Sequence, residues 1–132
     1  MNYIEQLQNK NLKVTPQRLE IVEILTIEGH INIDDLYNKL KIKFPTLSLA
    51  TVYKNLNTMQ DKGFVSEVKI PHQKSVYEIT KEEHSHAVCS ECKDVIDIKI
   101  DTSNILNQAK ELSHFRLNNS SIVFSGLCPK CA

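Results

Sequence analysis

The stretch His84-Ser85-His86-Ala87-Val88-Cys89-Ser90-Glu91-Cys92 decides how the rest of the chain is read. It joins two metal-ligand patterns of different chemistry. His84 and His86 stand two residues apart. Alternate side chains of a β-strand point to one face, so both imidazoles can converge on one ion. Cys89 and Cys92 form a C-x-x-C knuckle, and Cys128 and Cys131 form a second. Thiolates from two such knuckles make a closed tetrahedral zinc site. One short segment is therefore expected to serve two metals, one enclosed by sulfur and one held by nitrogen and oxygen.

Working outward, the 132-residue chain is 41% hydrophobic and 24% charged, enough for one compact domain or two small ones. Its formal net charge is +0. That lacks the basic footprint usual in nucleic-acid binding, so any DNA contact must come from locally placed side chains. No apolar run has the length of a membrane span, and the first residues carry no signal-peptide pattern. A cytoplasmic protein with no membrane partner is expected. In a reducing cytosol, paired C-x-x-C knuckles are zinc ligands rather than disulfides.

Upstream of the knuckles the pattern is helical. Asn2 to Lys10 reads as a short helix with Ile4 and Leu7 on one side. In L-K-V-T-P-Q-R, Thr15 is an N-cap and Pro16 suits the first helical position. Leu19, Ile21, Val22, Ile24 and Leu25 give the helix a broad apolar face, and Gly29 fits the residue that ends it. His30 follows, an ordinary loop histidine on local evidence. Asn32 caps the next helix, with Asp34 and Asp35 in its first turn, where the macrodipole favours anions. Its stripe is Ile33, Leu36, Tyr37 and Leu40.

Ser48 caps a third full helix, which Gly63 stops. Leu49, Val52, Leu56 and Met59 recur at helical spacing and are expected in the core. The opposite face carries Ala50, Thr51, Tyr53, Lys54, Asn57 and Thr58. Small residues near its start and hydrogen-bonding groups along it suit a helix that reads the major groove; the bland alternative is a solvated face. Lys13 and Arg18 join Ala50, Thr51, Tyr53, Lys54 and Asn57 as candidate DNA contacts. Two alternating strands follow, F-V-S-E-V-K-I and S-V-Y-E-I, joined by P-H-Q-K. Helices followed by such a hairpin make a winged helix, whose wing can touch the DNA backbone. Lys74, near the wing tip, is either a phosphate contact or simply solvated.

The remainder is near the size at which a domain needs staples. It reads as a strand through Ala87 and Val88, the knuckle, a strand from Val95 to Ile100, and a helix capped near Asp101. A long strand from about Arg116 to Leu127 then leads to the last knuckle. Zinc would tie the last strand to the first. The helix shows Ile105, Leu106, Ala109 and Leu112 on one face, which suits a dimer interface. His114 is expected to complement the dipole at the end of that helix.

L-K-V-T-P-Q-R, A-T-V-Y-K-N-L, H-x-H-x-x-C-x-x-C and the second C-x-x-C occur in this order over nearly the whole chain. Together they resemble the ferric uptake regulator superfamily. The resemblance implies an α+β protein: a winged-helix DNA-binding domain (1–80) followed by a small α/β dimerisation domain (81–132) with a four-cysteine zinc site. It implies a homodimeric, metal-dependent repressor of double-stranded operator DNA, with structural Zn(II) on Cys89, Cys92, Cys128 and Cys131. It also implies a regulatory site for Fe(II) or Mn(II), with Zn(II) possible, built from His30, Glu78, His84, His86 and Asp97.

Asp97 is similar to the peroxide-responsive branch, in which peroxide oxidation of His30 or His84 would end repression. Glu78 departs from the best-known peroxide sensors, which have Asp there. An iron-responsive or zinc-responsive regulator is the alternative. A further metal site seen in the iron branch would fall on Glu83, Ser85, Asn104 and Asn119, which are mostly poor ligands. Lys93 stands where the family commonly has glycine. A mononuclear enzyme using His84, His86 and Asp97 as an open triad is chemically allowed. The sequence offers no separate general base or phosphate-binding loop for it, so a non-enzyme is expected. A zinc-ribbon interaction module would need the cysteines alone.

Overall fold

The computed structural model describes residues 2–81, 84–117 and 120–132. The chain divides into two compact units, Met1–Lys81 and Glu82–Ala132. The first contains α1 (Tyr3–Asn9), α2 (Pro16–Glu28), β1 (Ile31–Asn32), α3 (Ile33–Lys43), α4 (Leu49–Asp61), β2 (Val65–Val68) and β3 (Val76–Ile79). The second contains β4 (Ser85–Cys89), β5 (Val95–Ile98), α5 (Ser103–Ser113) and β6 (Val123–Gly126).

Each helix of the first unit starts at a side-chain cap. Asn2 Oδ1 accepts from Glu5 N at 2.8 Å, and Thr15 Oγ1 from Arg18 N at 3.2 Å. Asn32 Oδ1 accepts from Asp35 N at 2.9 Å, and Ser48 Oγ from Thr51 N at 3.1 Å. Each satisfies an amide that the helix leaves without a partner. Gly29 ends α2 with φ 77°, a conformation that glycine adopts without a Cβ clash.

The core of this unit joins Leu7, Ile21, Val22, Leu25, Leu36, Leu40, Val52, Leu56 and Met59, all at most 1% exposed. The period-3.6 stripes of α2, α3 and α4 therefore meet in one cluster. Two stripe residues do not join it: Ile4 is 45% exposed and Leu49 is 37% exposed. Leu49 is the first residue of α4 and lies at the end of the stripe, a turn before Val52.

The sheet of the first unit has the order β1-β3-β2, with antiparallel pairs. The hairpin appears as read, trimmed to Val65–Val68 and Val76–Ile79. β1 was not legible in the sequence, because a two-residue strand shows no period. It pairs Ile31 with Tyr77 and Asn32 with Val76. Lys74, which the sequence left either solvated or on a phosphate, forms an ion pair with Asp34 of α3. That bond holds its ammonium above the ordinary lysine range.

In the second unit the order is β5-β4-β6, with β4–β5 antiparallel and β4–β6 parallel. The long final strand of the sequence reading is shorter: β6 spans Val123–Gly126. α5 starts after Asp101, whose Oδ1 accepts from Ser103 N at 3.0 Å and from Ser103 Oγ at 2.7 Å. These bonds hold the Asp101 carboxyl below its usual range. His114 terminates α5 in a left-handed conformation, its N–H donating to Lys110 O. α5 has no fully buried residue, and Ile105 and Leu112 are 57% and 84% exposed.

Candidate metal centres and nucleic-acid interface

The four cysteines come together in the second unit. Parallel pairing sets Cys89, at the end of β4, beside Gly126, and this brings Cys128 back to the first knuckle. Ser90 N donates to Gly126 O at 2.8 Å, fastening the two turns. Within the knuckles, Lys93 N donates to Cys89 O and Cys131 N to Cys128 O. The sulfurs lie within 4.8 Å of one another, and none is in a disulfide.

Cys92 Sγ and Cys128 Sγ are 3.8 Å apart. A tetrahedral ion with zinc–sulfur bonds of about 2.3 Å requires edges of about 3.8 Å. The Cys128 and Cys92 amides point at Cys89 Sγ from 3.5 and 3.4 Å and lower the pKa of its thiol to about 6. Hydrogen bonding with the Cys128 and Cys89 sulfurs pushes Cys131 up to about 12. Four thiolates this close need a cation to coexist, and the donor set and spacing fit Zn(II).

Lys93 sits at φ 67°, in the left-handed region that glycine adopts without strain. Its Nζ donates to Ser90 O at 2.6 Å.

The candidate regulatory ligands fall in both units. In the first, the β1–β3 register, continued by one residue, sets His30 opposite Glu78. His30 Nε2 lies 2.9 Å from Glu78 Oε2, and Glu78 is 2% exposed. The short β1 therefore aims the histidine that the sequence placed in a loop. In the second unit His86 pairs directly with Asp97 across β4–β5. His86 Nε2 and His84 Nε2 lie 3.4 and 3.5 Å from the same Asp97 oxygen, Oδ1. The two imidazoles meet edge to face with centroids 4.5 Å apart, as expected of alternate residues on one strand face. Imidazole nitrogens and a carboxylate converging on one point are a donor set for Fe(II), Mn(II) or Zn(II). Of the residues considered for a further metal site, Glu83 and Asn119 lie outside the described residues. Ser85 is buried, and Asn104 is exposed on α5.

Along α4, Ala50, Tyr53, Lys54 and Asn57 are exposed, while Val52, Leu56 and Met59 face the core. Thr51 is half-buried, and its hydroxyl meets Ser48 Oγ at 2.8 Å. Thr58 Oγ1 donates back to Lys54 O at 3.0 Å. Lys13 is exposed. Arg18 is engaged within the protein: Nε donates to Asn55 Oδ1 at 3.1 Å and a terminal nitrogen to Lys13 O at 2.9 Å. The sequence reading passed over Asn55. Its place one turn after Thr51, between the core stripe and the exposed face, was the available signal.

The ferric uptake regulator family matches residues 9–125. The chain belongs to the ferric uptake regulator family. It is 30% identical over 131 residues to the peroxide operon regulator of Bacillus subtilis strain 168, covering 98% of this chain and 90% of that protein. Its fold matches the crystal structure of the Campylobacter jejuni peroxide stress regulator with a TM-score of 0.73 and 38% identity, covering 99% of this chain and 100% of the other. It matches the Vibrio cholerae ferric uptake regulator, whose DNA-binding domains are described as rearranged, with a TM-score of 0.72 and 34% identity, covering 94% and 98%. Members of this family are metal-responsive transcriptional regulators and not enzymes. The chain is accordingly a metal-responsive transcriptional repressor of this family. Among the described residues no helix is long and apolar enough to cross a membrane.

Proposed function

We propose that this protein represses transcription as a homodimer on operator DNA when its regulatory site holds Fe(II) or Mn(II), and releases the DNA when hydrogen peroxide oxidises a ligand histidine. The observation that carries the reading is the strand-paired donor set, His30 with Glu78 and His84 and His86 with Asp97. The two peroxide regulators named above add support, as does Asp97, the residue that resembles the peroxide-responsive branch.

In this reading all five side chains serve one divalent cation, so metal occupancy couples the ligand-bearing strands to the helix that meets DNA. The cation also offsets the Glu78 and Asp97 charges, which otherwise repel phosphate. Structural Zn(II) belongs to the cysteines. α4 enters the major groove with Ala50, Thr51, Tyr53, Lys54 and Asn57, while Lys13 and Arg18 flank it. The dimer forms through the second unit, where Ile105, Leu112, Phe115 and Phe124 are exposed.

A bound Fe(II) would supply the reducing power that cleaves the peroxide O–O bond, one oxygen being added to an imidazole carbon and the other leaving as water. His30 and His84 are the side chains that would take up that oxygen, and an oxidised imidazole is a poorer ligand. Mn(II) supports DNA binding without that reactivity. The test loads the protein with Fe(II) or Mn(II), adds peroxide, and follows duplex binding and peptide mass together. The expected result is loss of binding for the Fe(II) form alone, with one oxygen atom added to a peptide containing His30 or His84. Loss of binding without that added mass removes the peroxide claim. The same titration separates the iron-responsive and zinc-responsive alternatives by the metal that supports binding.

A further inference from the structure

The guanidinium of Arg18 makes two hydrogen bonds that point in different directions. Nε donates to Asn55 Oδ1 on α4, 37 positions along the chain. A terminal nitrogen reaches back over the start of α2 to Lys13 O. Both partners sit beside groups the DNA reading uses: Asn55 lies on the helix that carries Lys54 and Asn57, and Lys13 is exposed at the head of α2. Arginine only donates, so Asn55 must present its oxygen to it. A planar fork fixes direction where a lysine ammonium would not. Arg18 is half-buried, and its backbone N–H is already held by the Thr15 cap, so the base of the side chain is anchored as well.

We infer that Arg18 is a positioning residue rather than a phosphate ligand: it is a strut that sets the Lys13 segment at a fixed place relative to the reading helix, with Asn55 as its far anchor. The inference rests on the DNA-binding reading above. Lys13 then makes the electrostatic contact, and Arg18 decides where that contact falls. The sequence put Lys13 and Arg18 alike among the candidate DNA contacts, and the positioning role of Arg18 was not visible there.

The two roles differ in salt dependence. Losing a phosphate contact lowers the slope of log affinity against log salt by about 0.9. Losing a strut weakens binding and leaves the slope alone. The probe is a short duplex selected from a random library by the wild-type protein loaded with Mn(II). Arg18→Lys keeps the charge but cannot span both acceptors. It should weaken binding about tenfold, the worth of one hydrogen bond to a charged group, and so should Asn55→Ala. The double variant should be no weaker than either single one. Lys13→Ala should lower the slope by about 0.9 both in the wild-type background and beside Arg18→Lys, because a displaced Lys13 still meets a phosphate.

Thermal unfolding of each variant checks that the core is intact. Arg18→Lys binding like wild type, Asn55→Ala without effect, or Arg18→Ala lowering the slope by about 0.9 would each overturn the inference. A wild-type protein that selects no duplex in Mn(II) sinks the Mn(II)-supported binding proposed above, a failure distinct from any of these.

Discussion

The two units of this chain solve the problem of burial in different ways. In the first, capped helices and a small sheet enclose a continuous apolar core from Leu7 to Tyr77. In the second, Val88 and Cys89 are the buried hydrophobic residues among those described. Ile96, Phe124 and Leu127 remain half exposed there, and Leu112 and Phe115 more so. The hydrophobic effect can hold the first unit by itself. The second depends on bonds that are not apolar contacts: the strand ladder, the cysteine cluster and, in our reading, a partner copy. The lesson is that the half rich in metal ligands is also the half that lacks a core of its own.

The sharpest way to break this comparison is to remove the Zn(II) that we assign to the four cysteines. A strong chelator, or Cys92→Ser, should unfold the second unit and leave the α-helical signal of the first. Structural zinc in small peptides is worth on the order of 10 kcal/mol. Loss of both units in one transition would show that the first does not stand alone. The converse change is Leu56→Ala, in the centre of the first core, where Leu56 is 0% exposed. It should cost about 2–5 kcal/mol of that unit's stability, read by denaturant unfolding, and leave zinc content unchanged.

Ile105→Lys tests the exposed face of α5. A fully buried isoleucine contributes about 1.5–3 kcal/mol, so sedimentation should show the proposed dimer weakened by about tenfold or more. Lys93→Gly should act in the opposite direction. Relieving a left-handed lysine is worth about 1 kcal/mol, seen as slower zinc release to a chelator.

Much of the first unit was legible because its signals are local. Thr15, Asn32 and Ser48 announce helix starts, and the stripes of α2, α3 and α4 follow within a few turns. What escaped was short or long-range. β1 has two residues, too few to show alternation, yet it sets His30 opposite Glu78. Periodicity marks Ile4 and Leu49 as apolar but cannot tell that the core stops short of them. β6 is shorter than its apolar pattern, since that pattern does not say where pairing ends. The cysteine spacing marked the thiolate cluster directly. The carboxylate partners Glu78 and Asp97 came through family resemblance, because no local rule singles out one acid on a strand. The Arg18–Asn55 bond joins distant segments and leaves no trace in either one.

The central claim is that a cation on the histidine and carboxylate set governs DNA binding. His86→Ala tests it most directly, with affinity for the selected duplex measured with and without Mn(II), and zinc content and helicity followed in the same samples. The account predicts that Mn(II) strengthens binding by the wild-type protein and leaves the variant unaffected, while both keep their zinc and their fold. Equal Mn(II) dependence in the two proteins would contradict it.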